Sequence, residues 1–268
     1  MKHIALRSKS IRSGDRPFTT PGLGDRVHSA TCAYLYSKKH NTPVTVHITD
    51  DKWSVAGGVL SEVKKQSWRE IERLFPEGLI TIQPWPVGTW PADNLSEKDW
   101  LSYLKKNDID AEIFYYKDFK KMHPNETVVP LEISQYFKNP ALLPPKELEL
   151  KLPKKFVTFQ FDSTEAGRGF SPIVLNGMMD KYRNAGYEVI TVGGAATDER
   201  FKGAGCLQNV GYAMNKASYH VGADSGFLHM AMLYMPYNKI HIYNQGYRSH
   251  HLFRAVKLGA KLNPGSIS

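Results

Sequence analysis

The chain alternates short apolar runs with longer stretches in which apolar residues recur at helical spacing. "HIALR" reads as a strand, the segment from Arg26 to about His40 as a helix, and "TPVTVHI" as the next strand. Helical spacing returns from Val59 to Phe75, and "LITIQ" and "AEIFYY" form two further strands around a helix near Lys98 to Lys106. The order β-α-β-α-β predicts an α/β layer with a parallel sheet. "KNPALLPPKELELKLPKK" then breaks all periodicity with its prolines and charges, so residues 139–155 are expected to be a linker. The pattern restarts beyond it. "FVTFQF" is a strand, Pro172 to Asn184 a helix with proline at its start, and "YEVITVGG" a strand. "LQNVGYAMNKA" is a helix, "YHVGA" a strand, Gly226 to Tyr234 a helix, "KIHIY" the final core strand and "HHLFRAVKLG" a closing helix. The expected architecture is two doubly wound, Rossmann-like α/β domains, residues 1–138 and 156–268, facing a central cleft. Ligands of such sheets bind where strands end and helices begin.

Composition narrows the class. With 41% hydrophobic residues and no apolar run of membrane-spanning length, the chain reads as a globular protein without integral membrane association. The N-terminus has basic residues but no apolar core of a signal peptide. Cys32 and Cys206 stand far apart among apolar or small neighbours, which suits reduced thiols and a cytoplasmic location. The net charge of +9 is spread over both halves. It is steepest near the N-terminus, where Arg7, Lys9, Arg12 and Arg16 crowd "RSKSIRSGDR", a segment between a strand and a glycine turn. A basic segment beside a ligand-binding turn favours an anionic partner.

Three strand-to-helix turns carry candidate chemistry. Gly22, Gly24 and Asp25 precede the first helix, where glycine lets the backbone approach a ligand and a carboxylate suits a helix N-terminus. Asp25 also reads as a plain helix cap. Gly193 and Gly194 end a strand. In "YHVGADSGFLHMA", Asp224, Ser225 and Gly226 open a helix whose first N–H groups form an anion site, and His229 follows one turn later, where packing is its simplest role. Neither GxGxxG after the first strand nor GxxxxGK[ST] is present, so hydride transfer and ATP hydrolysis lack their usual support. Asp50 and Asp51, closing a strand, are a minority candidate for a divalent metal.

Taken in order, "GLGD", "QFDSTEAGR", "VITVGGAATDE" and "ADSGFLHMAM" resemble the heptosyltransferase family of GT-B glycosyltransferases. The D-[ST]-G-x-x-H-x-A pattern at Asp224 to Ala231 is the specific part. The resemblance implies an inverting glycosyltransferase that uses a nucleoside-diphosphate sugar as co-substrate and needs neither a metal nor another cofactor. It implies Asp25 as the general base, and Arg168 as a cation that neutralises diphosphate oxygens. Ser225 and Gly226 would bind phosphate, Gly193 and Gly194 would line the donor side, Asp224 would fix the turn or touch the sugar, and His229 would approach the phosphates.

The family usually modifies the phosphorylated core of lipopolysaccharide. Here "RSKSIRSGDRPFTT" stands beside Gly22, Gly24 and Asp25, and "IQPWPVGTWPADN" offers Trp85 and Trp90 for stacking. Those features favour DNA, with a hydroxymethylated pyrimidine flipped out of the duplex as acceptor. Lipopolysaccharide core is the alternative acceptor. A nucleotide-sugar epimerase and an inactive binding module of the same fold are the other readings.

Overall fold

The computed structural model describes residues 2–6, 23–48, 70–84, 105–106, 111–113, 143–161, 170–244, 255–256 and 259–264. The chain divides into two compact units, Met1–Ile133 and Ser134–Ser268.

In the first unit the described strands are β1 (Lys2–Leu6), β2 (Val44–Ile48), β3 (Ile80–Pro84) and β4 (Ala111–Ile113). They form a parallel sheet in the order β3-β2-β1-β4. Helix α1 (Leu23–His40) joins β1 to β2. It buries Val27, Ala30, Ala33, Tyr34 and Ser37, a stripe spaced for one helix face. Asn41, at φ 47, ends it in the left-handed conformation that asparagine tolerates. Ser37 Oγ donates to the Thr42 carbonyl at 2.8 Å and secures that exit. On β3, the Ile82 N–H donates to the Glu72 carboxylate at 2.7 Å, so a side chain satisfies a group that the sheet leaves unpaired. Of the helices expected over Val59 to Phe75 and Lys98 to Lys106, residues 70–75 and 105–106 are described: 70–72 and 105–106 are helical, and 73–75 form a turn.

The second unit holds β5 (Phe156–Gln160), β6 (Glu188–Thr191), β7 (Tyr219–Gly222), β8 (Ile240–Asn244) and β9 (Lys261–Pro264), all parallel, in the order β6-β5-β7-β8-β9. Helix α2 (Pro172–Asn184) crosses from β5 to β6, α3 (Leu207–Lys216) from β6 to β7, and α4 (Gly226–Tyr234) from β7 to β8. The reason for α2 is local. Ser171 caps it by accepting the Val174 N–H, Pro172 supplies a fixed φ at its start, and Lys181 and Arg183 face the negative end of its dipole. Gly186, at φ 78, closes it while its N–H donates to Arg183.

Beneath α2 lie Val157, Phe159 and Phe161 of β5 and its exit, with Val221 of β7 and Ala223 just beyond it, packed on Met178, Tyr182 and Tyr243. The chain winds outward from β5 to β6 and then back past β5 to β7 and β8. Right-handed crossovers therefore put α2 on one face of the sheet and α3 and α4 on the other.

One expectation changes here. β8 is not the last strand, because β9 pairs with it from His241↔Lys261 to Asn244↔Pro264. The closing helix is described only at residues 255–256, and Gly259 at φ 112 then turns the chain into β9. Proline is tolerated at the end of such a strand because it withholds only one ladder donor. The stretch 139–155 belongs to the second unit: the Leu143 N–H donates to the Leu233 carbonyl at 3.1 Å, and the Lys151 carbonyl accepts from Arg200 at 3.3 Å. No helix among the described residues is long and apolar enough to cross a membrane.

Candidate functional site

Neighbouring strands whose crossovers leave in opposite directions open a crevice at their carboxyl ends, and in the second unit those strands are β5 and β7. They pair in register from Val157↔Tyr219 to Gln160↔Gly222. Just past that last pair, the Ala223 N–H donates to the Gln160 carbonyl at 3.1 Å. Ser225 Oγ donates to Gln160 Oε1 at 2.5 Å. The strand exit and the turn that opens α4 are thus held by one residue.

Gly222 permits this closeness. A Cβ there would lie 2.8 Å from the Gln160 carbonyl oxygen and 3.0 Å from His220 Nε2, closer than packed carbon atoms allow. Ser225 has extended backbone at φ −150 and caps α4, its Oγ accepting the Phe227 N–H at 3.3 Å. The Leu228 N–H donates to the Ser225 carbonyl at 3.1 Å, tightening the first turn. The N–H of Gly226, first in the helix, has no carbonyl to meet within it. Every residue of α4 from Phe227 to Tyr234 is buried, so the helix is fixed by its surroundings on all sides.

Asp224 and His229 are each only 5% exposed and flank this turn. A carboxylate at a helix N-terminus is stabilised by the dipole, which suits Asp224 as a brace of the turn. Deeper on the same sheet face, Thr158 Oγ1 and His220 Nδ1 lie 3.0 Å apart. Burial, reinforced by nearby His241, pulls the His220 imidazole down to about 3 and keeps it neutral. Thr158, Gln160, His220, Asp224 and His229 are the buried polar residues of the second unit among those described, and all lie on β5, β7, α4 or the turn between β7 and α4. Buried polar groups cost free energy unless they are bonded, so their concentration here marks a built feature.

The glycine turn after β6 is used differently. Gly193, at φ 98, donates its N–H to the Phe201 carbonyl and accepts from Ala196 and Gly203, so its backbone holds the loop itself. Gly194 beside it is exposed. Thr191 Oγ1 accepts the Thr197 N–H at 3.1 Å and completes the loop. Downstream, Cys206 Sγ donates to the Glu199 carbonyl at 3.4 Å.

In the first unit α1 begins at Leu23, so Gly24 and Asp25 stand in its first turn rather than in the turn before it. A parallel crossover puts that turn at the carboxyl end of β1, the strand between β2 and β4. The structure therefore gathers Asp224, Ser225, Gly226 and His229, and puts Gly193 and Gly194 after the neighbouring strand. Arg168, Gly22, Arg7, Lys9, Arg12, Arg16, Trp85, Trp90, Asp50 and Asp51 lie outside the described residues, as does the side chain of Asp25. No cluster of three or more metal-ligating side chains occurs among the described residues. Gln160 was not among the sequence candidates. Its signal was a polar residue ending an otherwise apolar strand, on the same face as Thr158.

No protein-family model and no curated protein matches the chain. Solved structures do. The crystal structure of a glycosyl transferase of family 9 from Veillonella parvula superposes over 98% of this chain and 86% of its own, with 14% identity and a TM-score of 0.51. Two structures of TibC, described as an iron-containing dodecameric glycosyltransferase from enterotoxigenic E. coli and as a heptosyltransferase in complex with ADP-D-beta-D-heptose, share 14% identity. They match over 90% and 91% of this chain with TM-scores of 0.47 and 0.46, and the chain spans 57% of their length. What the family 9 likeness establishes is the fold: this chain is an α/β protein of GT-B-like architecture, built on two parallel sheets.

Proposed function

We propose that the protein is an inverting glycosyltransferase that moves a sugar from a nucleoside-diphosphate sugar to a hydroxyl of an anionic acceptor. The observation that carries this reading is the Gln160–Ser225 bond at the crevice between β5 and β7, with Ser225 capping a helix whose Gly226 N–H and dipole suit a diphosphate oxygen. The fold of a family 9 glycosyl transferase supports it.

In the proposed reaction the acceptor oxygen forms a bond to the anomeric carbon as the bond from that carbon to the diphosphate oxygen breaks. The electron pair leaves with the nucleoside diphosphate, and the acceptor proton goes to Asp25. Arg168, the Gly226 N–H and the α4 dipole offset the charge that develops on the leaving group, so the step is proposed to run without a metal or other cofactor. Asp224 braces the turn, and His229 holds α4 in place or reaches the phosphates. On this reading Gly194, and Gly193 through its loop, border the nucleotide.

The acceptor we propose is DNA carrying a hydroxymethylated pyrimidine, on the strength of Arg7, Lys9, Arg12, Arg16, Trp85 and Trp90 and the net charge of +9. The second reading is transfer to lipopolysaccharide core, the acceptor that the sequence's resemblance to heptosyltransferases implies. Both share the donor site.

A panel of nucleoside diphosphates tested by thermal shift in EDTA checks the donor half. At least one should stabilise the protein, and Arg168→Ala should weaken that effect. Loss of all binding in EDTA would replace this reading with a metal-dependent one involving Asp50 and Asp51. Mass spectrometry of hydroxymethylated DNA and of lipopolysaccharide core, each incubated with the matching sugar nucleotide, then separates the acceptors. Epimerised donor without any acceptor product would point to an epimerase, and no turnover at all to a binding module.

A further inference from the structure

We infer that Gln160 is a positioning residue for the diphosphate-binding turn and that it acts through Ser225, an assignment that rests on the nucleotide-sugar reading above. Gln160 is 2% exposed at the end of β5. Its main-chain carbonyl accepts the Ala223 N–H, and its side-chain Oε1 accepts the Ser225 hydroxyl. A buried carboxamide is expensive where an apolar side chain would fill the same space. Here it grips both the entry and the middle of the turn.

The serine hydroxyl carries one hydrogen and two lone pairs. Its hydrogen goes to Gln160 Oε1 at 2.5 Å, and one lone pair receives the Phe227 N–H at 3.3 Å. In this arrangement the hydroxyl fixes the start of α4 and has no hydrogen left for an anion. A half-turn of the Gln160 amide, whose oxygen and nitrogen ends are nearly the same size, would present its NH₂ group to Ser225 Oγ instead. The serine then keeps an anchor on its oxygen and turns its hydrogen toward a phosphate oxygen. Glutamine serves both arrangements because it is acceptor at one end and donor at the other. An ionised glutamate serves only the first.

The test measures binding of pyrophosphate, and of the nucleoside diphosphate that stabilises the protein most, to wild type, Gln160→Glu, Gln160→Met, Ser225→Ala and the double variant Gln160→Met/Ser225→Ala. Gln160→Glu should still fold, with some loss of stability from a carboxylate at a buried position, yet bind both probes at least about tenfold more weakly, as expected for loss of one charge-assisted hydrogen bond. That deficit should shrink as pH falls from about 8 to about 5, because a protonated glutamate regains a donor. The double variant should bind no worse than Ser225→Ala alone, since Gln160 works through that hydroxyl. Gln160→Glu binding within about twofold of wild type at pH 8, or losses that add in the double variant, would overturn the assignment while leaving the donor site intact. Failure of wild type to bind any probe would instead remove the nucleotide-sugar reading and this inference with it.

Discussion

Along β5 and β7 the two faces of one sheet are made of different material. Under α2 the face is apolar: Phe159 and Phe161 meet at a tilt, 4.5 Å between centroids, and Phe161 meets Phe170 edge-on at 5.2 Å. On the opposite face the same two strands present Thr158 and Gln160 opposite His220 and Gly222. The first face is held by area removed from water, which is non-directional, and the second by hydrogen bonds of fixed geometry. Because side chains alternate along a strand, both arise from a single run of residues, "FVTFQF". The difference teaches a division of labour. One face supplies cohesion, and the other spends part of it to place the turn that opens α4.

The comparison is broken most severely from its apolar side. Phe159→Ala deletes a ring from the cluster under α2 and should cost about 3–5 kcal/mol of stability. Urea unfolding followed by fluorescence would show it; a loss below about 1 kcal/mol would mean that this face is not the cohesive one.

Acid separates the faces because each carries a histidine. His220, on the polar face, is pulled down to about 3, first by burial and then by the charge of His241. His241, on the other face, stacks on Tyr219 at 4.5 Å and is held at about 4 by partial burial, with Lys261 and Lys181 adding repulsion. Both folded values lie below the ordinary histidine value of 6.5. The unfolded chain therefore takes up protons first, and stability present above about pH 6.5 is lost as pH falls toward the folded values. For His220 the slope approaches about 1.4 kcal/mol per pH unit and accumulates to roughly 3 kcal/mol by about pH 4. His220→Asn should flatten the acid limb of a stability-versus-pH curve more than His241→Asn does, since His241 is only half-buried. Equal effects would erase the distinction.

Gly222→Ala sharpens the comparison at the join between strand and turn. Its new Cβ would press on the Gln160 carbonyl and on His220, so the strand exit has to shift. The expected cost is roughly 1–2 kcal/mol in thermal unfolding, with weaker nucleoside diphosphate binding beside it. A variant that loses stability but binds normally would uncouple the polar face from the turn.

Much of this was legible in the sequence for physical reasons. β5 and β7 are short apolar runs, α2 carries its own cap and proline, and the Ser225 cap stands directly before a run of helical spacing. β9 was not legible. Its residues, Lys261, Leu262, Asn263 and Pro264, have no apolar alternation, and Leu262 is 40% exposed, so only pairing with β8 defines it. Gln160 escaped notice because its partner Ser225 lies 65 positions away, and only the neighbouring of β5 and β7 brings them together. The bond from the Gly193 N–H to the Phe201 carbonyl was not legible either, because local spacing does not announce it.

The central claim is that a diphosphate binds at the start of α4. Titration of the isotope-labelled protein with the preferred nucleoside diphosphate in EDTA, read by amide resonances, tests it most directly. The largest shifts should fall on Gly226, Phe227 and Leu228, with Ala223 responding through Gln160. Saturable binding that leaves those four amides unmoved would contradict it.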